Sequence, residues 1–267
     1  MSSKKTSLLW SIEKEANVSY LFGTMHVKDY RVHAIRDFVT PYLQQCESFG
    51  TEFHLDEMAE LGQTNFQYFP NGETIKDHWS KKQYDKFIQS IKKSFQIDVS
   101  KFDYMLPIFI VNMISETVLV NSENLPLDSA LWQHAKEKGL KLFGLETLED
   151  QFRILASIPI AYQLENIRSI ARSPKLFRKK LKKLIDLYER QEIDQLYQVS
   201  KKSLGKQRAL MLYSRNESMV QTLTEEFGRT KRVFCAVGAA HLSGKFGMLA
   251  LLKRMEYKVR PVMVNGQ

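Results

Sequence analysis

The sequence predicts an α/β fold: a central mixed, mainly parallel sheet built from two strand–GxxH–helix–strand units, with a helical insertion and long helices packed around it. Three observations lead there. Short β-type runs alternate with helical periodicity towards both ends of the chain. Two of those runs, 18–24 and 232–237, lead directly into Gly-x-x-His. Strand-like alternation is missing from 57–125 and from 160–227.

The elements follow in order. Residues 8–12 and 18–24 are β-type runs flanking a polar turn at 13–17, which reads as a hairpin. Residues 31–47 place Val32, Ile35, Val39, Tyr42, Leu43 and Cys46 at helical spacing, and 48–55 reads as a third strand. The insertion at 57–125 is mostly helical, clearest at 85–95 and 106–120. A helix at 128–138 ends before Gly139, a short strand follows at 140–145, and another helix restarts at 148–157. Long helices fill 160–227. Arg-Val-Phe-Cys-Ala-Val at 232–237 is the plainest β run, followed by a helix at 244–255 and a closing strand at 257–264. The 267 residues read as one domain, 1–267, with the insertion and the helical segment inside it.

Composition narrows the function classes. With 43% hydrophobic and 26% charged residues, the chain is ordinary for a packed globular protein, which excludes disorder for most of it. Cys46 and Cys235 lie in apolar runs and form no CxxC pair, so they read as buried small hydrophobes in a reducing compartment. The apolar stretch 7–12 is short and broken by Glu13, unlike a signal peptide, and the most apolar run, 104–120, carries Pro107, Asn112 and Glu116, unlike a membrane span. The expected location is cytoplasmic. Of the net charge of +9, eight charges come from 172–208, where twelve Lys or Arg meet four Asp or Glu. That segment reads as amphipathic helices with a solvated basic face, and in a sharper reading as a dock for an acidic partner or an anionic surface. Nucleic acid ranks low, since no groove-reading motif accompanies it.

The chemistry lies in Gly23-Thr24-Met25-His26 and Gly238-Ala239-Ala240-His241. A strand carries the chain to the sheet edge, glycine permits a tight turn, and the histidine projects where open α/β sheets bind ligands. Two such loops can bring His26 and His241 to one divalent ion. A third ligand is needed, and Glu52 at a strand end fits, with His54 and Asp56 as nearby rivals. Such a donor set suits Zn, Mn, Co or Fe. Glu146 also ends a strand, whereas His33, His54, His78 and His134 read as surface or structural.

These stretches resemble the TraB/GumN/Tiki family. The match comprises Tyr20-Leu21-Phe22-Gly23-Thr24-Met25-His26-Val27, Thr51-Glu52-Phe53, and Leu127-Asp128 through to Gly144-Leu145-Glu146-Thr147-Leu148-Glu149-Asp150-Gln151. It continues with Arg215-Asn216-Glu217-Ser218-Met219 and Val237-Gly238-Ala239-Ala240-His241-Leu242. One departure is Glu52-Phe53-His54, where the family's strand reads more like Glu-x-Asp. The resemblance implies a metal site of His26, His241 and Glu52 holding Mn, Co or Zn, as in the peptidases among the Tiki proteins. It also brings in Arg215 as a neutraliser of a developing oxyanion, Asn216 as an orienting amide, and Glu146 as a second carboxylate or proton shuttle. The expectation is a metal-dependent peptidase or amidase acting on a peptide-like or small-molecule substrate. The alternative is a non-catalytic protein of the TraB type that sequesters a peptide or small ligand.

Overall fold

The computed structural model describes residues 6–15, 17–58, 66–119 and 122–263. The basic N-terminal residues 1–5, Ala16 of the predicted hairpin turn, 59–65 of the insertion, Val120 at the end of its second helix and Val264 of the last strand lie outside the described residues. The strands are β1 (Leu9–Lys14), β2 (Asn17–Thr24), β3 (Ser48–Phe53), β4 (Lys141–Glu146), β5 (Val233–Gly238) and β6 (Lys258–Pro261). The helices are α1 (Tyr30–His33), α2 (Arg36–Leu43), α3 (Lys81–Phe95), α4 (Pro107–Val118), α5 (Leu127–Glu137), α6 (Leu148–Ala156), α7 (Ile160–Arg172), α8 (Pro174–Glu189), α9 (Ile193–Leu204), α10 (Arg215–Arg229) and α11 (Met248–Arg254).

The chain divides into two compact units. Met1–Ala59, Asn121–Leu148 and Leu184–Gln267 form the first, and Glu60–Val120 with Glu149–Lys183 form the second. The first holds a six-stranded sheet in the order β4-β3-β5-β2-β1-β6. β4, β3, β5 and β2 run parallel, β1 pairs antiparallel with β2, and β6 pairs antiparallel with β1. Only β1 therefore opposes the common direction, so the fold is mixed and mainly parallel. The first GxxH unit, β2 to β3, steps over β5; the second, β5 to β6, steps over β2 and β1.

β5 is apolar on both faces, as a central parallel strand must be, with Val233, Phe234, Cys235, Ala236 and Val237 all buried. The Phe234 ring stacks on Phe49 of β3 at 5.9 Å, and Trp132 of α5 meets Phe49 edge-on at 6.1 Å. Burying each such ring contributes about 1.5–3 kcal/mol. Together they press α5 onto the sheet, with its first turn beside the sheet's carboxyl end. Burial pushes the Cys46 thiol up to about 12 and Cys235 higher still, which suits inert packing residues.

Two predicted helices are shorter or broken. The 31–47 segment splits into α1 and α2 at Ala34–Ile35, and within α2 Pro41 has no N–H to continue the ladder. The 244–255 helix starts at Met248, because Gly244 takes a left-handed φ of +94° and a Cβ on Gly247 would lie 2.2 Å from the Ser243 carbonyl oxygen. Among the described residues no helix is long and apolar enough to cross a membrane.

The second unit is helical. Phe87, Ile91, Ile110, Ile114 and Ile167 from α3, α4 and α7 form its apolar centre. α3 begins four residues earlier than its apolar pattern, because Ser80 and Gln83 form a capping box. At the start of α8, Lys175, Arg178, Lys179, Lys180, Lys182 and Lys183 are exposed, as a solvated basic face requires.

Candidate functional site

Parallel pairing places four strand ends along one edge of the first unit. Thr24 of β2 pairs with Gly238 of β5, and Phe53 of β3 pairs with Glu146 of β4. His26 lies two residues beyond β2. His241 closes the short 3-10 turn Ala239–His241 after β5. A Cβ on Gly23 would stand 2.7 Å from Leu242 Cδ1 and 3.1 Å from Ala239 Cα, so glycine is what lets the first GxxH strand end lie against the second loop.

Glu52, Glu146 and Arg215 form one ionic cluster. Arg215 Nη2 donates to Glu52 Oε2 at 2.6 Å and also to Glu146 Oε1, while Arg215 Nε donates to Glu146 Oε2 at 3.1 Å. Glu52 Oε1 accepts the Gly238 N–H at 2.7 Å and stands 3.7 Å from His241 Nε2. Arg215 is the first residue of α10 and follows a π-helical segment, Ala209–Ser214, a local widening common at functional sites. Next to it, Asn216 donates through Nδ2 to the Phe246 carbonyl at 2.7 Å, which fixes the amide orientation. Its Oδ1 therefore accepts from His241 Nδ1, at 2.6 Å.

His26 is held in the corresponding way by a different group. Its Nδ1 lies 2.8 Å from both carboxylate oxygens of Asp128, in the first turn of α5. A carboxylate only accepts, so this nitrogen carries the proton. In both GxxH imidazoles Nδ1 is thus the nitrogen that donates to an oxygen acceptor. Beneath the first loop, the buried Tyr188 hydroxyl donates to the Gly23 carbonyl at 2.8 Å.

Burial disfavours charge on the Glu52 carboxyl, yet His241, Arg215 and the Gly238 N–H pull the other way and hold it down at about 2. Burial likewise drives the His241 ring down to about 4, against the pull of Glu52, so it is neutral at pH 7. Arg215 is desolvated too, but its two carboxylates push it above its ordinary value. Glu52 and Glu146 thus share the Arg215 guanidinium.

The two rivals to Glu52 face α5. The His54 ring packs edge-on against Trp132 at 4.7 Å, and Asp56 accepts from Trp132 Nε1 at 3.0 Å and Lys136 Nζ at 2.8 Å. Glu52, Glu146, Arg215, Asn216 and His241 are joined by direct contacts, and His26 comes to the same sheet edge through the β2–β5 pairing. Among the described residues no group of three or more His, Cys, Asp and Glu is gathered as a preformed metal cluster. Sequence reasoning passed over Asp128 and Tyr188. Asp128 stands in the sequence at the start of a helix and of a stretch that resembles the family, with no role attached, and Tyr188 lies inside the long helices of 160–227.

No characterised protein and no solved structure matches the chain. The TraB/PrgY/gumN family matches it over residues 8–261, a span that includes both GxxH loops, Glu52, the Gly144–Glu146 strand end and the Arg215–Asn216 pair; the chain belongs to that family.

Proposed function

We propose that this protein is a metal-dependent hydrolase that cleaves a peptide or other amide bond, with His26, His241 and Glu52 holding the ion. The observation that carries this reading is the matched orientation of the two imidazoles. Each GxxH ring commits Nδ1 to an oxygen acceptor, Asp128 or Asn216, which is how metal-ligating histidines are oriented through their second nitrogen. Glu52 and Glu146, gathered on Arg215 at neighbouring strand ends, also bring carboxylate oxygens to this sheet edge. Imidazole and carboxylate donors suit Mn, Co or Zn. A divalent ion there would lower the pKa of water towards neutrality and polarise a substrate carbonyl.

The chain's own residues then have distinct tasks. Asp128 and Asn216 aim the two rings. Arg215 positions Glu52 and Glu146 and balances their charge; with two carboxylates on its guanidinium, it serves them rather than an oxyanion. The neutral His241 keeps its Nε2 lone pair turned towards Glu52. The test is cleavage of a mixed peptide substrate after chelation and again after adding Mn, Co or Zn. We expect cleavage to depend on added ion and to vanish in His26→Ala. Cleavage that persists in chelator and in His26→Ala would overturn the reading, and ion-dependent capture without bond breakage would favour sequestration.

A further inference from the structure

We propose that the exposed face of α8 in the second unit, over residues 174–183, binds an anionic membrane surface. No Asp or Glu occurs between Glu165 and Asp186. At about 3.6 residues per turn, Lys175, Lys179, Lys180, Lys182 and Lys183 share an arc of about 160°, and all five are exposed. Phe177 lies outside that arc and packs on the unit's apolar centre, its ring 6.0 Å from that of Phe95 in α3. That contact holds the helix with its lysines outward.

Solubility alone does not account for this arrangement. Lys175 sits in a first turn that holds no acidic residue, where the helix dipole disfavours a cation. Lys175, Lys179 and Lys183 are spaced four residues apart, where like charges on a helix repel. Among the described residues none of the five lysines forms an ion pair, whereas Lys92, Lys136, Lys141 and Lys258 each do. A negative surface would relieve both costs.

Two features favour lipid over nucleic acid. Leu176 is 52% exposed and lies inside the lysine arc, where a headgroup layer accepts an apolar side chain. The cations are lysines, which act as point charges rather than as two-pronged phosphate ligands. The segment's one arginine, Arg178, is turned back onto α3: its guanidinium lies 4.8 Å over the Phe95 ring and donates to the Ser94 carbonyl. Each lysine that reaches an anionic membrane surface strengthens binding about fivefold. The GxxH strand ends belong to the first unit, and this surface rests on none of their chemistry.

The experiment is flotation of the full chain with vesicles of phosphatidylserine and phosphatidylcholine in equal parts, beside vesicles of phosphatidylcholine alone. We expect the protein to float with the mixed vesicles only and to be released by salt. Binding should fall about tenfold or more in Lys175→Gln/Lys179→Gln/Lys183→Gln, and several-fold in Leu176→Ser. Lys206→Gln/Lys231→Gln/Lys253→Gln removes the same charge from exposed positions of the first unit and should bind as the wild type does. Equal binding to phosphatidylcholine alone, unchanged binding in either α8 variant, an equal loss in the first-unit variant, or tighter binding to duplex DNA than to the mixed vesicles would each overturn the proposal.

Discussion

The two Gly-x-x-His loops leave neighbouring parallel strands, yet their imidazoles meet different surroundings. The His241 side chain is 7% exposed, lies beside Glu52 and is oriented by the neutral amide of Asn216. The His26 side chain is 52% exposed and is oriented by the Asp128 carboxylate. One spacing thus yields a ring built into the core and a ring on its rim. The spacing delivers the histidine to the sheet edge; the element that meets it there, α10 or α5, decides whether it also contributes to folding.

If this contrast is right, the largest effect lies on the His241 side. Replacing Arg215 with Met removes the guanidinium that Glu52 and Glu146 share, and should cost about 3–5 kcal/mol in urea unfolding. An effect under about 1 kcal/mol would mean that the cluster is not an ionic unit. His241→Ala removes a buried ring and leaves Asn216 Oδ1 without its donor, for an expected loss of about 2–4 kcal/mol.

Acid should expose the same asymmetry in metal-free protein. His241 has a folded pKa of about 4 against an ordinary 6.5, so in that interval the unfolded chain binds more protons. Stability present above pH 6.5 is therefore lost as pH falls towards about 4. Glu52, held at about 2 against 4.5, extends the loss below that window. Unfolding curves from pH 7 to pH 4 should show this decline, and a flat profile would contradict the buried neutral ring.

Gly23→Ala tests whether the loops need their close approach. Its Cβ would press on Leu242 and the Ala239 backbone, and should cost about 1–3 kcal/mol in thermal or urea unfolding. The smallest expected change in stability is that of His26→Ala, within about 0.5 kcal/mol, as for an exposed side chain. Comparable destabilisation in His26→Ala and His241→Ala would erase the distinction between rim and core.

Much of this fold was legible because local pattern determines it. The apolar, β-branched and aromatic run Val-Phe-Cys-Ala-Val reads as a buried strand, and the spacings in the 85–95 segment read as a helix. The strand order was not legible, since it depends on pairings such as Thr24 with Gly238, more than two hundred residues apart. At the site, the residue types were readable from GxxH, Glu52 and Arg215–Asn216, but their partners were not. Asp128 and Tyr188 gain their meaning from what α5 and α8 bring against the first loop, and the burial of His33 depends equally on tertiary packing.

The most direct test of one shared ion is a Co(II) titration of the apo protein, followed by its visible absorption. The wild type should take up one equivalent and develop the coordinated spectrum. His26→Ala, which should remain folded, should lose both. Wild-type protein without a coordinated spectrum, or a His26→Ala variant that binds Co(II) as the wild type does, would contradict the account.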